Sequence, residues 1–257
     1  MISPFPYVGG KFFLAREIVS RIPAHKVYVE PFFGSGRVFF TKEPSRIEVV
    51  NDRDAEVIMF FRVCQHHPEE LLRCLRFTVT SRKHYTDLAA TPPDSLTDIL
   101  RASRFLYLQK VGFGGLIQGR HYTHWTRKAP PFKAENLPDL IRAVHARFNG
   151  VQIECLDYLE IVEKFDAPDA FFYLDPPYFG TSSYKFNFQE KDFQSLARAL
   201  RSIRGRFLLS LNDVPEVRKI FAPFVVHQVF TQHSSKRGTQ RRTAELLISN
   251  YRQVPAG

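Results

Sequence analysis

Cysteine is scarce: Cys64, Cys74 and Cys155 are the only three in 257 residues, far apart and without a Cys-x-x-Cys pair. That spacing excludes a disulfide framework and a thiolate zinc site, and a reducing cytosol is the expected setting. The nine histidines show no ligand spacing either, so no metal is expected. A secretory signal is missing, because Met1-Ile2-Ser3-Pro4-Phe5-Pro6 has neither a charged region nor an apolar run. No uninterrupted apolar stretch approaches the ~20 residues of a membrane span, so the expectation is a soluble, cytoplasmic chain with no membrane partner. Internal repeats and low-complexity tracts are absent, and only Val254 to Gly257 reads as a flexible tail. Acids are in deficit, 26 against 36 Lys and Arg, and the resulting formal charge of +10 suits a polyanionic partner such as nucleic acid.

Apolar material is plentiful. Hydrophobic residues make up 44% and aromatics 14%, with 25 Phe, which is enough to bury a large core and exclude a disordered chain. The length allows one large α/β domain, or a catalytic domain carrying an insertion. Seven runs rich in β-branched and aromatic residues end abruptly in polar or glycine-containing turns. They are Lys26 to Glu30, Arg46 to Val50, Val151 to Cys155, Ala170 to Leu174, Arg206 to Leu211, Val225 to Phe230 and Ala244 to Asn250. Helices are expected over Lys11 to Ile22, Ala55 to Cys64 and Gln189 to Ile203. This alternation predicts an α/β fold, a doubly wound sheet with helices on both faces. The rhythm breaks between about Val63 and Phe148, which reads as an inserted, mainly helical module. Residues Arg101 to Gly150 hold nine bases against Glu135 and Asp139. The run Met59-Phe60-Phe61 falls inside a predicted helix and is assigned to the core.

Three motifs carry chemistry. In Glu30-Pro31-Phe32-Phe33-Gly34-Ser35-Gly36 a strand runs into a glycine turn that lets backbone approach a ligand. No Gly-Lys-Ser/Thr follows, and the third glycine of the dinucleotide fingerprint is missing, so phosphate binding is disfavoured. The second strand ends in Asn51-Asp52, a place where an acid holds ribose hydroxyls; the competing use is as the N-cap of the helix from Ala55, which Asp52 or Asp54 could supply. The fourth strand ends in Asp175-Pro176-Pro177-Tyr178. Two prolines stiffen the backbone and leave carbonyls outside any ladder. Methylating an exocyclic amine requires acceptors for both N–H groups, since the nitrogen lone pair is delocalised into the ring. Asp175 would accept one N–H and the Pro176 carbonyl the other, and Tyr178 would stack on a base swung out of the helix.

The set and its order resemble the Dam-type family of adenine-specific DNA methyltransferases across nearly the whole chain. The family's Gly-Gly-Lys motif is matched by Tyr7-Val8-Gly9-Gly10-Lys11, its glycine motif by Glu30 to Gly36, its Asn-Asp by Asn51-Asp52, and its catalytic tetrapeptide by Asp175 to Tyr178. Asp157-Tyr158 is similar to the pair that contacts the cofactor adenine, and Glu245 to Asn250 to the last strand. The resemblance implies a Rossmann-like, seven-stranded S-adenosylmethionine-dependent methyltransferase fold, formed by residues 1–62 and 149–257. It implies methyl transfer from S-adenosylmethionine to the 6-amino group of a flipped-out adenine in double-stranded DNA, by a monomer. The cofactor would be held by Tyr7, Gly9, Gly10, Lys11, Glu30, Pro31, Phe32, Gly34, Gly36, Asp52, Asp157, Tyr158 and Asp175. Catalysis would fall to Asp175, Pro176, Pro177 and Tyr178.

Residues 63–148 sit where this family carries its target-recognition domain, with a DNA-reading hairpin expected near Ile117 to Phe132. Arg120, Tyr122, His124, Trp125, Arg127 and Lys128 are its candidate DNA contacts. A second basic loop, Lys236 to Arg242, is expected at the sheet edge. GATC-specific members open the N-terminal motif with a lysine; Pro6 stands there in this chain, which argues against a GATC target. The rivals are a methyltransferase for another planar amine and a DNA-binding module without activity. Asp rather than Ser or Asn at position 175 argues against the cytosine and glutamine versions, the Gly-Gly-Lys segment and the large insertion against small RNA enzymes, and the intact tetrapeptide against an inactive module.

Overall fold

The structure, a computed structural model, describes residues 3–7, 9–113, 121–123, 129–182, 184–234 and 240–253. Its centre is one seven-stranded sheet: β1 (Val27–Glu30), β2 (Ile47–Asn51), β3 (Gln152–Glu154), β4 (Ala170–Leu174), β5 (Arg206–Asn212), β6 (Val225–Ser234) and β7 (Gln240–Ser249). The spatial order is β3-β2-β1-β4-β5-β7-β6. The first five strands are parallel; β7 runs antiparallel to both β5 and β6. All seven expected strands are present.

Alternation along the strands builds two apolar layers. On β4, Phe171 and Tyr173 join one layer while Ala170, Phe172 and Leu174 join the other, so the whole strand is buried on both faces as parallel sheets require. Helices α8 (Tyr158–Phe165), α9 (Glu190–Ser202) and α10 (Pro215–Ile220) cover the second layer; α1 (Ala15–Ser20), α2 (Arg37–Thr41) and α3 (Ala55–His66) cover the first.

The expected insertion contributes α4 (Pro68–Leu75), α5 (Arg82–Ala90), α6 (Asp98–Val111) and α7 (Leu137–Arg147). The expected boundary at residues 62 and 63 falls inside α3, and these helices share the first layer's core. Phe148 stacks on Phe61 at 5.0 Å and Phe105 meets Phe5 edge-on at 5.1 Å. Phe60 and Phe61 are fully buried, as the apolar run suggested. Several of the region's bases are internal rather than available to a partner. Arg101 and Arg104 both bind Glu56 and Arg147 binds Glu48, whereas Arg142 meets Glu69 on the exposed surface.

Two elements differ in length from expectation. The helix expected from Lys11 begins at Ala15; residues 12–14 form a turn, and Lys11 reaches Asp175 at the end of the central strand β4. The β6–β7 ladder continues through Thr231↔Thr243 to Ser234↔Gln240. That extension is polar in sequence, and an antiparallel pair can continue on backbone bonds alone where one face meets solvent. No helix among the described residues is long and apolar enough to cross a membrane.

Candidate active site

Strand order reverses between β1, whose successor β2 lies to one side, and β4, whose successor β5 lies to the other. Loops leaving the C-terminal ends of β1 and β4 therefore diverge and open a cleft at that switch point. Tyr7, Gly9, Gly10, Lys11, Glu30, Pro31, Phe32, Gly34, Asp52, Asp157, Tyr158 and Asp175 all line it.

Gly36 does not line the cleft. It takes φ 67° and turns the chain into α2; a Cβ there would lie 2.4 Å from the Phe33 ring, so its requirement is steric. The N-cap question is resolved by geometry. Asp54 caps α3 by accepting the Glu56 N–H at 3.2 Å, while Asp52 accepts the backbone N–H groups of Asp54 at 2.8 Å and Gly34 at 2.7 Å. Asp52 is thus aimed at the glycine turn. Asp157 lines the cleft and also caps α8, accepting the Leu159 N–H at 3.0 Å.

Asp175 is not a lone carboxylate. Lys11 Nζ donates to its Oδ1 at 2.6 Å and its Oδ2 at 2.8 Å, and Ser210 Oγ donates to Oδ1 at 2.9 Å. Burial alone would depress the Lys11 ammonium, but Asp175 and Glu245 reverse that and hold it well above the lysine range. Burial pushes the Asp175 carboxyl up, and Lys11 and Ser210 oppose that shift. Of the two oxygens, Oδ2 keeps more unused acceptor capacity. The turn beyond is clamped from β5: Asn212 Oδ1 accepts the Phe179 N–H at 2.9 Å, and Asn212 Nδ2 donates to the Phe179 carbonyl at 3.1 Å. Among the described residues nothing donates to the Pro176 carbonyl. Tyr178 donates its hydroxyl to Glu245 on β7 at 2.7 Å, with Lys11 Nζ 4.8 Å from its ring centre. Pro177 lines the cleft; Pro176 and Tyr178 lie outside it.

Sequence reasoning passed over residues whose role depends on distant partners. Asn51 is buried and ties two loops together, donating to the Pro31 and Leu156 carbonyls and accepting the Leu156 N–H. Ser210, Asn212 and Glu245 reach the tetrapeptide from β5 and β7. Tyr184 to Phe188 cover the cleft, with Lys185 donating to Asp54 at 2.9 Å and Phe188 meeting Phe32 and Tyr158. Asn51 and Glu245 fall inside recognised motifs that do not reveal these partners, and no local motif marks Ser210, Asn212 or Tyr184 to Phe188.

Of the hairpin expected near Ile117 to Phe132, only 121–123 and 129–132 are among the described residues, and an antiparallel bridge starts ahead of it. The bridge's legs are Val111 to Phe113 and His121 to Thr123, paired at Gly112 and Tyr122. Tyr122 packs edge-on to Tyr85 at 5.7 Å, beneath the Arg82 guanidinium, and is partly buried against the core instead of projecting as a wedge. Arg120, His124, Trp125, Arg127 and Lys128 lie outside the described residues, as do 235–239 of the second basic loop. The β6–β7 hairpin leading to that loop does lie at the sheet edge.

The family model for D12 class N6 adenine-specific DNA methyltransferases matches residues 7–234. The chain belongs to that family. Type II methyltransferase M1.LlaDCHI of Lactococcus lactis subsp. cremoris is 26% identical, over 97% of this chain and 96% of that one. Type II methyltransferase M.MjaIII of Methanocaldococcus jannaschii is 25% identical over 97% and 99%. The DNA adenine methylase of Salmonella typhimurium is 25% identical over 94% and 92%.

A D12-class adenine methyltransferase draws its methyl group from S-adenosylmethionine, a nucleoside with a sulfonium, and the cleft's chemistry fits such a guest. Glu30, Asp52, Asp54, Asp157, Asp175 and Asp192 face Lys11, Arg37, Arg53 and Lys185, so a chain rich in bases lines its cleft with more acidic than basic residues. Two of these acids are poised for a donor. Burial pushes Glu30 up to about 8, although Tyr28 donates to it at 2.7 Å, and burial pushes Asp52 up to about 7.

The Asp52 shift has a sign that can be measured. Its folded value exceeds the ordinary 3.8, so the stability it contributes is fully present below that value and is lost as pH rises through about 7. A ligand whose hydroxyls donate to the ionised carboxylate binds in the opposite sense. S-adenosylhomocysteine affinity is expected to rise about tenfold between about pH 6 and about pH 8. Asp52→Asn should flatten that rise in calorimetric titrations; an unchanged slope in the variant would remove Asp52 from the ligand.

Proposed function

We propose that this chain transfers the methyl group of S-adenosylmethionine to the exocyclic amine of an adenine flipped out of double-stranded DNA, acting as a monomer in the cytoplasm. One observation carries the reading: a carboxylate fixed by Lys11 and Ser210 stands at the switch point, at the head of a proline-stiffened turn that Asn212 clamps. Asp52 would hold the ribose hydroxyls. Phe32, Tyr158 and Phe188 form an aromatic wall suited to the cofactor adenine, with ring centres 5.2 to 5.6 Å apart. Bound S-adenosylmethionine supplies an electrophilic methyl on sulfur.

The protein's part is to make the amine a nucleophile. Asp175 accepts one N–H and the Pro176 carbonyl the other, drawing the nitrogen toward tetrahedral geometry. Neither acceptor must reorganise, because each is already held. The Glu245 hydrogen bond fixes the Tyr178 ring as a stacking surface for the target base. Residues 63–148 would read the DNA through the hairpin expected near Ile117 to Phe132, with Arg120, His124, Trp125, Arg127 and Lys128 supplying contacts to bases and phosphates.

The test is single-molecule sequencing of DNA from cells expressing the protein, against an Asp175→Asn control. Methylated adenine in one short motif, absent in the control, is the expected result. DNA with no modified adenine would overturn the assignment.

A further inference from the structure

Four cations line the cleft, and three are already matched. Lys11 is paired with Asp175, Lys185 with Asp54 at 2.9 Å, and Arg53 with Asp157 at 3.7 Å. Arg37 alone has no carboxylate partner among the described residues. Burial lowers the pKa of its guanidinium and is the only influence on it. A part-buried cation at the edge of a ligand cleft with no acid opposite it is costly unless something anionic comes to it.

What could come follows from the cleft's layout. Along the loop after β1, Phe32 abuts Tyr158 and Phe188, Gly34 holds Asp52, and Ser35 lies opposite Gly10. Arg37 comes next, as the first residue of α2. Along this loop the aromatic wall and the ribose acid come first, and Arg37 follows the glycine turn, over the Phe12 ring next to Lys11. S-adenosylmethionine has the same layout: adenine, ribose, sulfonium, then an amino-acid arm ending in a carboxylate. Its only anionic group would fall where the cleft keeps its only unmatched cation.

We propose that Arg37 binds the α-carboxylate of S-adenosylmethionine, with Phe12 as the platform that orients it. The guanidinium carbon lies 4.6 Å from the centre of the Phe12 ring. Stacking on that face leaves the N–H edge directed outward in the ring's plane, the arrangement that meets a carboxylate with two parallel hydrogen bonds. It also accounts for Phe12, a large apolar residue left 62% exposed beside Lys11.

The inference rests on the cofactor reading above, and binding measured without DNA separates the two. The full chain is titrated by calorimetry with S-adenosylmethionine and with its decarboxylated analogue, which lacks only the carboxylate. Wild type is expected to prefer the complete cofactor about tenfold or more, the range of a charge-assisted contact. Arg37→Met should bind both compounds equally, with unchanged affinity for the analogue showing that the cleft is intact. Arg37→Lys should keep part of the preference as a point charge without the fork, and it carries the test if the methionine variant does not fold. Full preference in Arg37→Met, or none in wild type, overturns the role of Arg37. Failure of wild type to bind either compound overturns the cofactor reading itself.

Discussion

Asp175→Ala is expected to abolish methyl transfer and, at the same time, to destabilise the folded chain. The acid stands at a cleft, which by itself suggests a substitution the fold tolerates. Its pairing says otherwise: the Lys11 side chain is 3% exposed, and its remaining carboxylate, Glu245, lies 4.0 Å away. Removing one partner of a buried ion pair leaves an uncompensated charge, at a cost of about 3–5 kcal/mol. Loss of a preorganised acceptor should lower the rate by at least about a thousandfold. Pairing Asp175→Ala with Lys11→Met should recover much of the stability and none of the activity. Urea unfolding and transfer of a labelled methyl group read the two effects separately. A single variant as stable as wild type would mean that the pair contributes nothing to the fold, and a fully active one would remove Asp175 from the chemistry.

Asn51→Ala is expected to have the second largest effect, although Asn51 touches no reacting atom. Its side chain is 1% exposed and makes three hydrogen bonds, to the Pro31 carbonyl and to both backbone groups of Leu156. Truncation strands the part-buried Leu156 N–H and the buried Pro31 carbonyl and costs about 2–4 kcal/mol. It also unties the loop after β1 from the loop after β3, which carry the glycine turn and Asp157-Tyr158. Cofactor affinity should fall by roughly tenfold or more as that preorganisation is lost. Thermal melts with and without S-adenosylhomocysteine would show a lower midpoint and a smaller ligand-induced rise. A normal rise on a lowered midpoint would confine Asn51 to stability.

The strands were legible because burial on both faces leaves an unmistakable apolar run, as in Ala170 to Leu174. The polar end of the β6–β7 hairpin was not, since its residues carry no apolar alternation although the ladder continues to Ser234↔Gln240. Asp52 and Asp54 show the same limit at one remove: both fit a helix cap in sequence, and the Glu56 N–H on Asp54 at 3.2 Å and the Gly34 N–H on Asp52 at 2.7 Å separate their roles. Gly36 shows the converse, a residue correctly marked as special whose reason is the Phe33 ring and not the ligand. The surplus of bases between Arg101 and Gly150 was visible by composition, yet Glu56 and Glu48 already hold three of them.

By itself the sequence determined the sheet, the chemistry and the family, because strand periodicity and short motifs are local: Asp175, two prolines and a tyrosine are neighbours in the chain before they are neighbours in space. Only the tertiary structure decided what each of those groups is bound to. Lys11 reaches Asp175 across 164 positions, Glu245 reaches Tyr178 across 67, and Arg37 meets no acid among the described residues. Pairings of that kind depend on which strand ends the switch point brings together, and a carboxylate's partner is set by distance in space, which no spacing along the chain records.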